Sequence, residues 1–205
     1  MQHLNHLSKS QQESVLALIK AAHDFDGTPP IAEHVLLHLR HGGDKSDSHI
    51  VFEEGNHVIA YAHLDTTDLV AGPSVEAVVH PNHRGKGLGA SILKEAIKVC
   101  GGKTRIWSHG DLPAAKAIAA SLKLERLWSN LLMSKSLGEI QPVTSKYPIR
   151  TFIPGLDNQA FLDLNNKVFA NYPDQGGWSE DDLKVRVNEP WFDDKGFFIA
   201  EDKGE

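Results

Sequence analysis

The chain is poor in cysteine, with Cys100 alone among 205 residues, and it has no apolar run approaching the length that spans a bilayer. One cysteine excludes an internal disulfide and fits a reducing compartment. No basic segment followed by an apolar stretch opens the sequence, so neither export nor membrane insertion is expected, and the cytoplasm is the expected location. Basic excess is lacking as well. Lys and Arg total 21 against 27 Asp and Glu, for a net charge of −6 and a pI near 6.0. A nucleic-acid partner would call for the opposite balance, and any anion site must therefore be local. Metal-binding chemistry is also thin. His34, His38 and His41 fall along one helix, but a closed zinc site needs four ligands and no cysteine or second ligand pair lies nearby. They read as solvated helix histidines, and no metal is expected.

What the sequence does have is a glycine-rich stretch, Val78-Val79-His80-Pro81-Asn82-His83-Arg84-Gly85-Lys86-Gly87-Leu88-Gly89-Ala90. It reads as a strand, a turn and the start of a helix. Glycines let backbone approach an anion closely, and a helix beginning there aims unpaired N–H groups at it. The spacing fits neither the nucleotide P-loop nor G-x-G-x-x-G, whose third glycine would come one place later. The remaining pattern is Arg84-x-x-Gly87-x-Gly89, followed by an amphipathic helix through Ile92, Leu93, Ala96, Ile97 and Cys100. Cys100 itself reads as a small apolar residue beside the Gly101-Gly102 helix end.

Periodicity predicts helices over 10–24, with Val15, Leu18 and Ile19 inside, and over 32–41, with Val35, Leu36 and Leu39 inside. A hairpin follows, 49–53 and 58–64 around Gly55-Asn56, then strand 75–79, helix 90–99, a buried strand 104–108, a helix from Pro113 to about 122 and a last strand 127–133. Residues 138–148 read as a linker. The pattern then restarts with strand 149–153, helix 157–170, helix 179–187 with a capping-box-like Asp182, and strand 197–200, and stops at an apparent hairpin turn, Lys203-Gly204. Trp178 and Trp191 are expected in the core of this second part.

The Arg84-x-x-Gly87-x-Gly89 pattern in this element order resembles the GNAT acetyltransferases. The resemblance implies an α+β fold, a mixed sheet with flanking helices, with one complete domain over 1–137, a linker over 138–148 and the start of a second copy over 149–205. Within that superfamily, Asn165-Asn166-Lys167-Val168-Phe169, Tyr172-Pro173-Asp174-Gln175-Gly176-Gly177-Trp178, Glu189-Pro190-Trp191-Phe192-Asp193, Gly27-Thr28-Pro29-Pro30-Ile31-Ala32-Glu33 and Trp107-Ser108-His109-Gly110 resemble the mycothiol synthase family. That family consists of tandem GNAT proteins that use acetyl-CoA to acetylate the cysteinyl amine of a cysteine–glucosamine–inositol conjugate. The resemblance implies small-molecule partners, a monomer, and catalysis assigned to the second domain, with the first binding acetyl-CoA without clear turnover.

Carried over residue by residue, the resemblance sets acetyl-CoA against Ala77, Val78 and Val79 and the turn Gly85, Lys86, Gly87, Leu88, Gly89 and Ala90. Arg84 is either a further phosphate charge or a structural buttress. Glu33 and Asp174 become contacts to the aminosugar–inositol acceptor, each otherwise a surface carboxylate, and Trp178 has an acceptor-facing role as its alternative to the core. Glu76 is the candidate general base, with an outward-facing strand residue as its equal alternative. Where such enzymes place a tyrosine to protonate the leaving thiolate, alignment on Leu122-Lys123-Leu124 puts Ala119. Two expectations therefore stand, an N-acetyltransferase or a module that binds acetyl-CoA without turning it over.

Overall fold

A computed structural model describes residues 1–42, 48–67, 72–139, 144–172 and 177–202. Ser8 starts the first helix, α1 (Lys9–Asp26). Its hydroxyl accepts from the Gln11 N–H at 3.2 Å while the Gln11 side chain accepts from the Ser8 N–H at 3.0 Å, which satisfies two otherwise orphaned donors. Gly27, at φ 69°, ends it. The Pro29-Pro30 break leads into α2 (Glu33–His41), which buries Val35, Leu37 and Leu39. Leu36, expected inside, is only partly covered, and Leu37 takes its place.

Five strands form one sheet in sequence order: β1 (Gln2–Leu4), β2 (Ser48–Glu54), β3 (His57–Asp65), β4 (Ser74–Val79) and β5 (Arg105–Trp107). The first three junctions are antiparallel. The last is parallel, with α3 (Leu88–Val99) as the crossover. Alternation sends Val51, Tyr61 and Val78 to the face covered by α1 and α2, where they pack on Val15, Leu18, Ile19, Val35 and Leu39. Ile50, Ala60, Ala62, Leu64 and Val75 pack with Ile92, Leu93 and Ala96 of α3. The next helix, α4 (Pro113–Ser121), begins at Pro113, whose fixed φ suits the first helical position, and reaches this second core through Ile118.

β1 is three residues long, too short for a period-2 signal in the sequence. β5 is half-buried rather than buried. The expected strand 127–133 is not formed. No described strand pairs with it, and Leu131, Leu132 and Met133 are exposed. Apolar composition supplies a reason for burial, but a strand also needs a neighbouring backbone to take its donors and acceptors.

The chain clusters into two compact units, one built on Met1–Glu125 and the other on Arg126–Ala170 with Gly177–Glu205. The second contains the antiparallel pair β6 (Ile149–Thr151) and β7 (Phe198–Ala200), with α5 (Asn158–Val168) and α6 (Glu180–Val187). Ser179 and Asp182 form the expected capping box on α6. Phe152, Leu162 and Leu183 are its buried centre, with Phe161, Trp178 and Phe197 around them. Asn166 holds Trp178 by accepting from its N–H at 2.8 Å and donating to its carbonyl at 2.9 Å, and the Arg186 guanidinium stacks 4.1 Å from the indole centroid. Trp191, expected in the same core, is instead 54% exposed, because no part of this small cluster extends over it.

Candidate coenzyme cleft and its acid–histidine floor

β4 is bonded along one edge to β3 over its whole length, Ser74↔Asp65 to Val79↔Ala60. Along the other edge its pairing with β5 covers only Ser74, Val75 and Glu76. The two parallel strands therefore part after Glu76↔Trp107, leaving the backbone of Ala77, Val78 and Val79 without a strand on that side. A ligand with amide groups can pair there as a surrogate strand.

Beyond Val79 the chain makes a short turn, Pro81–His83, and then the glycine turn. Gly85 and Gly87 adopt φ of 74° and 78°, a left-handed conformation costly for residues with a Cβ, and open space lies where a Cβ would point. Gly87 is the N-cap of α3 and brings no side-chain oxygen, so the first-turn amides of Leu88, Gly89 and Ala90 have no acceptor within the helix. Gly85, Lys86 and Gly87 are exposed. This turn fits a pyrophosphate. Gly89 has a different reason to be glycine: a Cβ would stand 2.8 Å from Cδ1 of Ile118, so its smallness lets α4 approach α3.

Arg84 donates to both carboxylate oxygens of Asp26 at 2.7 Å and to the Val79 carbonyl at 3.1 Å. That geometry makes it the buttress of the two alternatives. It ties the end of α1 to the end of β4, and its hydrogen bond holds the Asp26 carboxyl below the usual range. Lys86 is left as the exposed cation of the turn.

At the closed end of the cleft the sheet carries a polar row. Register sets His49 opposite His63, His63 opposite Glu76 and Glu76 opposite Trp107. The three side chains His49, His63 and Glu76 are buried on the α1–α2 face, so Glu76 is not an outward-facing strand residue. Its Oε2 accepts from the Ala32 N–H at 2.6 Å and from His109 Nε2 at 3.1 Å. Burial alone would raise this carboxyl, but the His109 and Ala32 donors and the nearby imidazoles outweigh it and hold it below its ordinary value. Glu76 is thus an anion bonded to the N-terminus of α2, where the helix dipole favours it.

α2 lays His34 and His38 over this row, with ring centroids 6.4 and 6.2 Å from His63, and His49 Nδ1 meets the Tyr61 hydroxyl at 2.9 Å. These helix histidines face the sheet; they are not the solvated residues their spacing suggested. Burial drives the His34 imidazole below its usual value, only partly offset by Glu76 and Asp65. Among the described residues no group of three or more ligating side chains is arranged to hold a metal.

Glu33 is exposed at the first position of α2, directly after the Ala32 amide that Glu76 holds. Asp174 lies outside the described residues. Ala119 sits in the last turn of α4 with no acidic group. The Cys100 thiol is pushed up by burial and packs on the α3 core, the behaviour of a small apolar residue. Sequence reasoning assigned no role to His109. The signal was present in Trp107-Ser108-His109-Gly110, but only tertiary contact pairs it with Glu76. Gly110 and Asp111 both have positive φ, 75° and 48°, and a Cβ on Gly110 would stand 2.6 Å from Thr28 Cγ2. The loop after α1 thus packs against the turn that presents His109.

The family model described as the acetyltransferase (GNAT) family matches residues 15–124. Among curated proteins, the chain is 42% identical to a mycothiol acetyltransferase of Streptosporangium roseum, over 98% of this chain and 61% of that protein. It is 44% identical to one of Acidothermus cellulolyticus, over 93% of this chain and 60% of the relative. The chain thus spans about three fifths of the length of these relatives. Of solved structures, a GCN5-related N-acetyltransferase from Sphaerobacter thermophilus superposes with a TM-score of 0.56 at 17% identity, covering 95% of this chain and 65% of that one, a likeness of fold. With a parted β4–β5 edge, a glycine turn opening α3 and a family match over the unit that holds both, the chain belongs to the acetyltransferase (GNAT) family.

Proposed function

We propose that this chain is part of an acetyl-CoA-dependent N-acetyltransferase that acetylates the cysteinyl amine of a cysteine–glucosamine–inositol conjugate in mycothiol synthesis. The observation that carries this is the cleft of a GNAT fold on a chain 42% identical over nearly its whole length to mycothiol acetyltransferases. Acetyl-CoA brings an activated thioester whose acetyl group can pass to an amine. Ala77, Val78 and Val79 hold its pantetheine amides by backbone, and Gly85, Gly87, Leu88, Gly89 and Ala90 offer amides to its pyrophosphate. Lys86 adds a point charge. Glu33 and Asp174 contact the acceptor's hydroxyls or ammonium. The organisation is a GNAT domain over 1–137, a linker over 138–148 and part of a second copy from 149, in a cytoplasmic protein that is monomeric when whole. Among the described residues no helix is long and apolar enough to cross a membrane.

Ala119 favours a second reading, a unit that binds the coenzyme without turning it over, because the thiolate acid is absent from α4. Titration calorimetry with CoA and a thiol-release assay with acetyl-CoA and the cysteinyl conjugate separate the two. Binding with release at an enzymatic rate supports transfer. Binding without release supports the module, and no binding overturns both.

A further inference from the structure

α2 starts without a cap of its own. Ala32 is its N-cap and brings no side-chain oxygen, so the first N–H groups of the helix find no acceptor in that side chain. An acceptor comes instead from β4, 44 positions along the chain. Glu76 Oε2 takes the Ala32 N–H at 2.6 Å, and its charge lies where the helix dipole favours an anion. His109 Nε2 meets the same oxygen at 3.1 Å. Burial works against an ionised Glu76, but the His109 and Ala32 donors outweigh it and hold the carboxyl below its ordinary value. An ionised carboxylate has no proton to give, so His109 is the N–H donor of that contact. With both bonds on one oxygen and a side chain only 5% exposed, Glu76 is a buried anchor with little surface left for a substrate.

The backbone around this bond is held as well. Pro29 and Pro30 each fix one φ, Ile31 is buried, and the turn that bears His109 packs through Gly110 against Thr28. Glu33 follows Ala32 directly and is exposed at the first position of α2, two residues before the buried Val35. An exposed carboxylate on backbone fixed on both sides loses less freedom on binding a ligand than one on a loose loop.

We infer that Glu76 is a positioning residue for Glu33: by holding the Ala32 amide it sets where α2 begins, and with it the carboxylate that faces the acceptor. This role rests on the acceptor contact given to Glu33 under the proposed function. It requires no acetyl transfer in the first unit's cleft, and Glu76 moves no proton. His109 in turn orients the Glu76 carboxylate.

Titration calorimetry with the cysteinyl conjugate, with no acetyl-CoA present, reads acceptor affinity directly. Glu33→Gln should weaken binding about 10-fold, through loss of a charge-assisted bond. Glu76→Ala, shown by circular dichroism to be folded, should weaken it at least about threefold. The double variant should bind no more weakly than Glu33→Gln alone, because Glu76 acts through Glu33. Glu76→Gln should recover most of the lost affinity, since its amide oxygen still accepts from Ala32.

No loss in Glu76→Ala, a loss that adds to that of Glu33→Gln, or no recovery in Glu76→Gln overturns the positioning role and leaves the Glu33 contact standing. If the wild type does not bind the conjugate, or Glu33→Gln binds it as tightly as the wild type, the acceptor reading fails and the role of Glu76 falls with it. Should Glu76→Ala not fold, Ala32→Pro removes the same bond from its other end, since φ −68° suits proline and the N–H is gone. The same loss, again not additive with Glu33→Gln, is expected there, and unchanged affinity overturns the role.

Discussion

Arg84 lies at the centre of the glycine motif, yet its guanidinium is engaged by Asp26 and the Val79 carbonyl, while the neighbouring Lys86 stands exposed. Substitution should separate the two. Arg84→Ala leaves a largely covered Asp26 without its partner and is expected to destabilise the first unit by about 1–2 kcal/mol, discounted because Arg84 is itself partly exposed. Lys86→Ala should leave stability unchanged and weaken CoA binding in a salt-dependent way; urea unfolding beside calorimetry at two ionic strengths reads both. At the end of α4, Lys123 adopts φ 55° while its N–H and that of Leu124 bond the carbonyls of Ala120 and Ala119. This is the left-handed C-cap that glycine fills without strain. Lys123→Gly is expected to stabilise the protein by about 1 kcal/mol, seen as a raised urea midpoint at constant m-value.

α2 is seated by two unlike devices, an apolar stripe of Val35 and Leu39 and a polar end where Glu76 holds the Ala32 amide and His34 and His38 meet His63. Burial keeps the folded-state pKa of His34 below the unfolded value near 6.5. The unfolded chain therefore takes up the proton first as pH falls below about 6.5, and stability declines until the folded value is passed. His34→Gln should flatten that slope, measured by urea unfolding at pH 7.5 and 5.5; an equal slope in both proteins would remove His34 as its source. The glycines of α3 differ in the same way that their environments do. Gly87→Ala meets a positive φ and should cost about 1 kcal/mol or more. Gly89→Ala meets only the flexible tip of Ile118, gains helix propensity of about 1 kcal/mol, and is expected to be near neutral in thermal unfolding.

Across the whole chain, the carboxylates Asp26 and Glu76 of the first unit and Asp157 of the second all have folded values held below their ordinary ones. Asp157 is gripped by Arg150 at 2.6 and 2.8 Å and by the Ile153 N–H at 2.7 Å. For depressed carboxyls the stabilisation is complete above the unfolded pKa, near 4, and disappears as pH falls through the folded values, so both units should lose stability below about pH 4. Hydrogen exchange resolved by peptide checks this unit by unit, and Arg150→Ala should weaken protection in β6 and α5. Much of this architecture was legible in the sequence. Helical and alternating periodicity placed α1, the β2–β3 hairpin, β4 and α3, since those patterns are local and have stop signals beside them, Gly27 after α1, Gly55 in the hairpin, Pro81 after β4 and Gly101 after α3. The glycine spacing placed the turn before α3 for the same reason. What local pattern could not decide was pairing: that 127–133 finds no strand, that β5 leaves β4 after Glu76, that Arg84 turns inward to Asp26, and that His109 reaches Glu76. Sequence alone determined α1, the β2–β3 hairpin, β4, α3 and the glycine turn before it, because backbone propensity and glycine conformation act over a few residues. Only the tertiary structure decided which charges are engaged, because that depends on partners 33 to 58 positions away that the fold brings within hydrogen-bond reach.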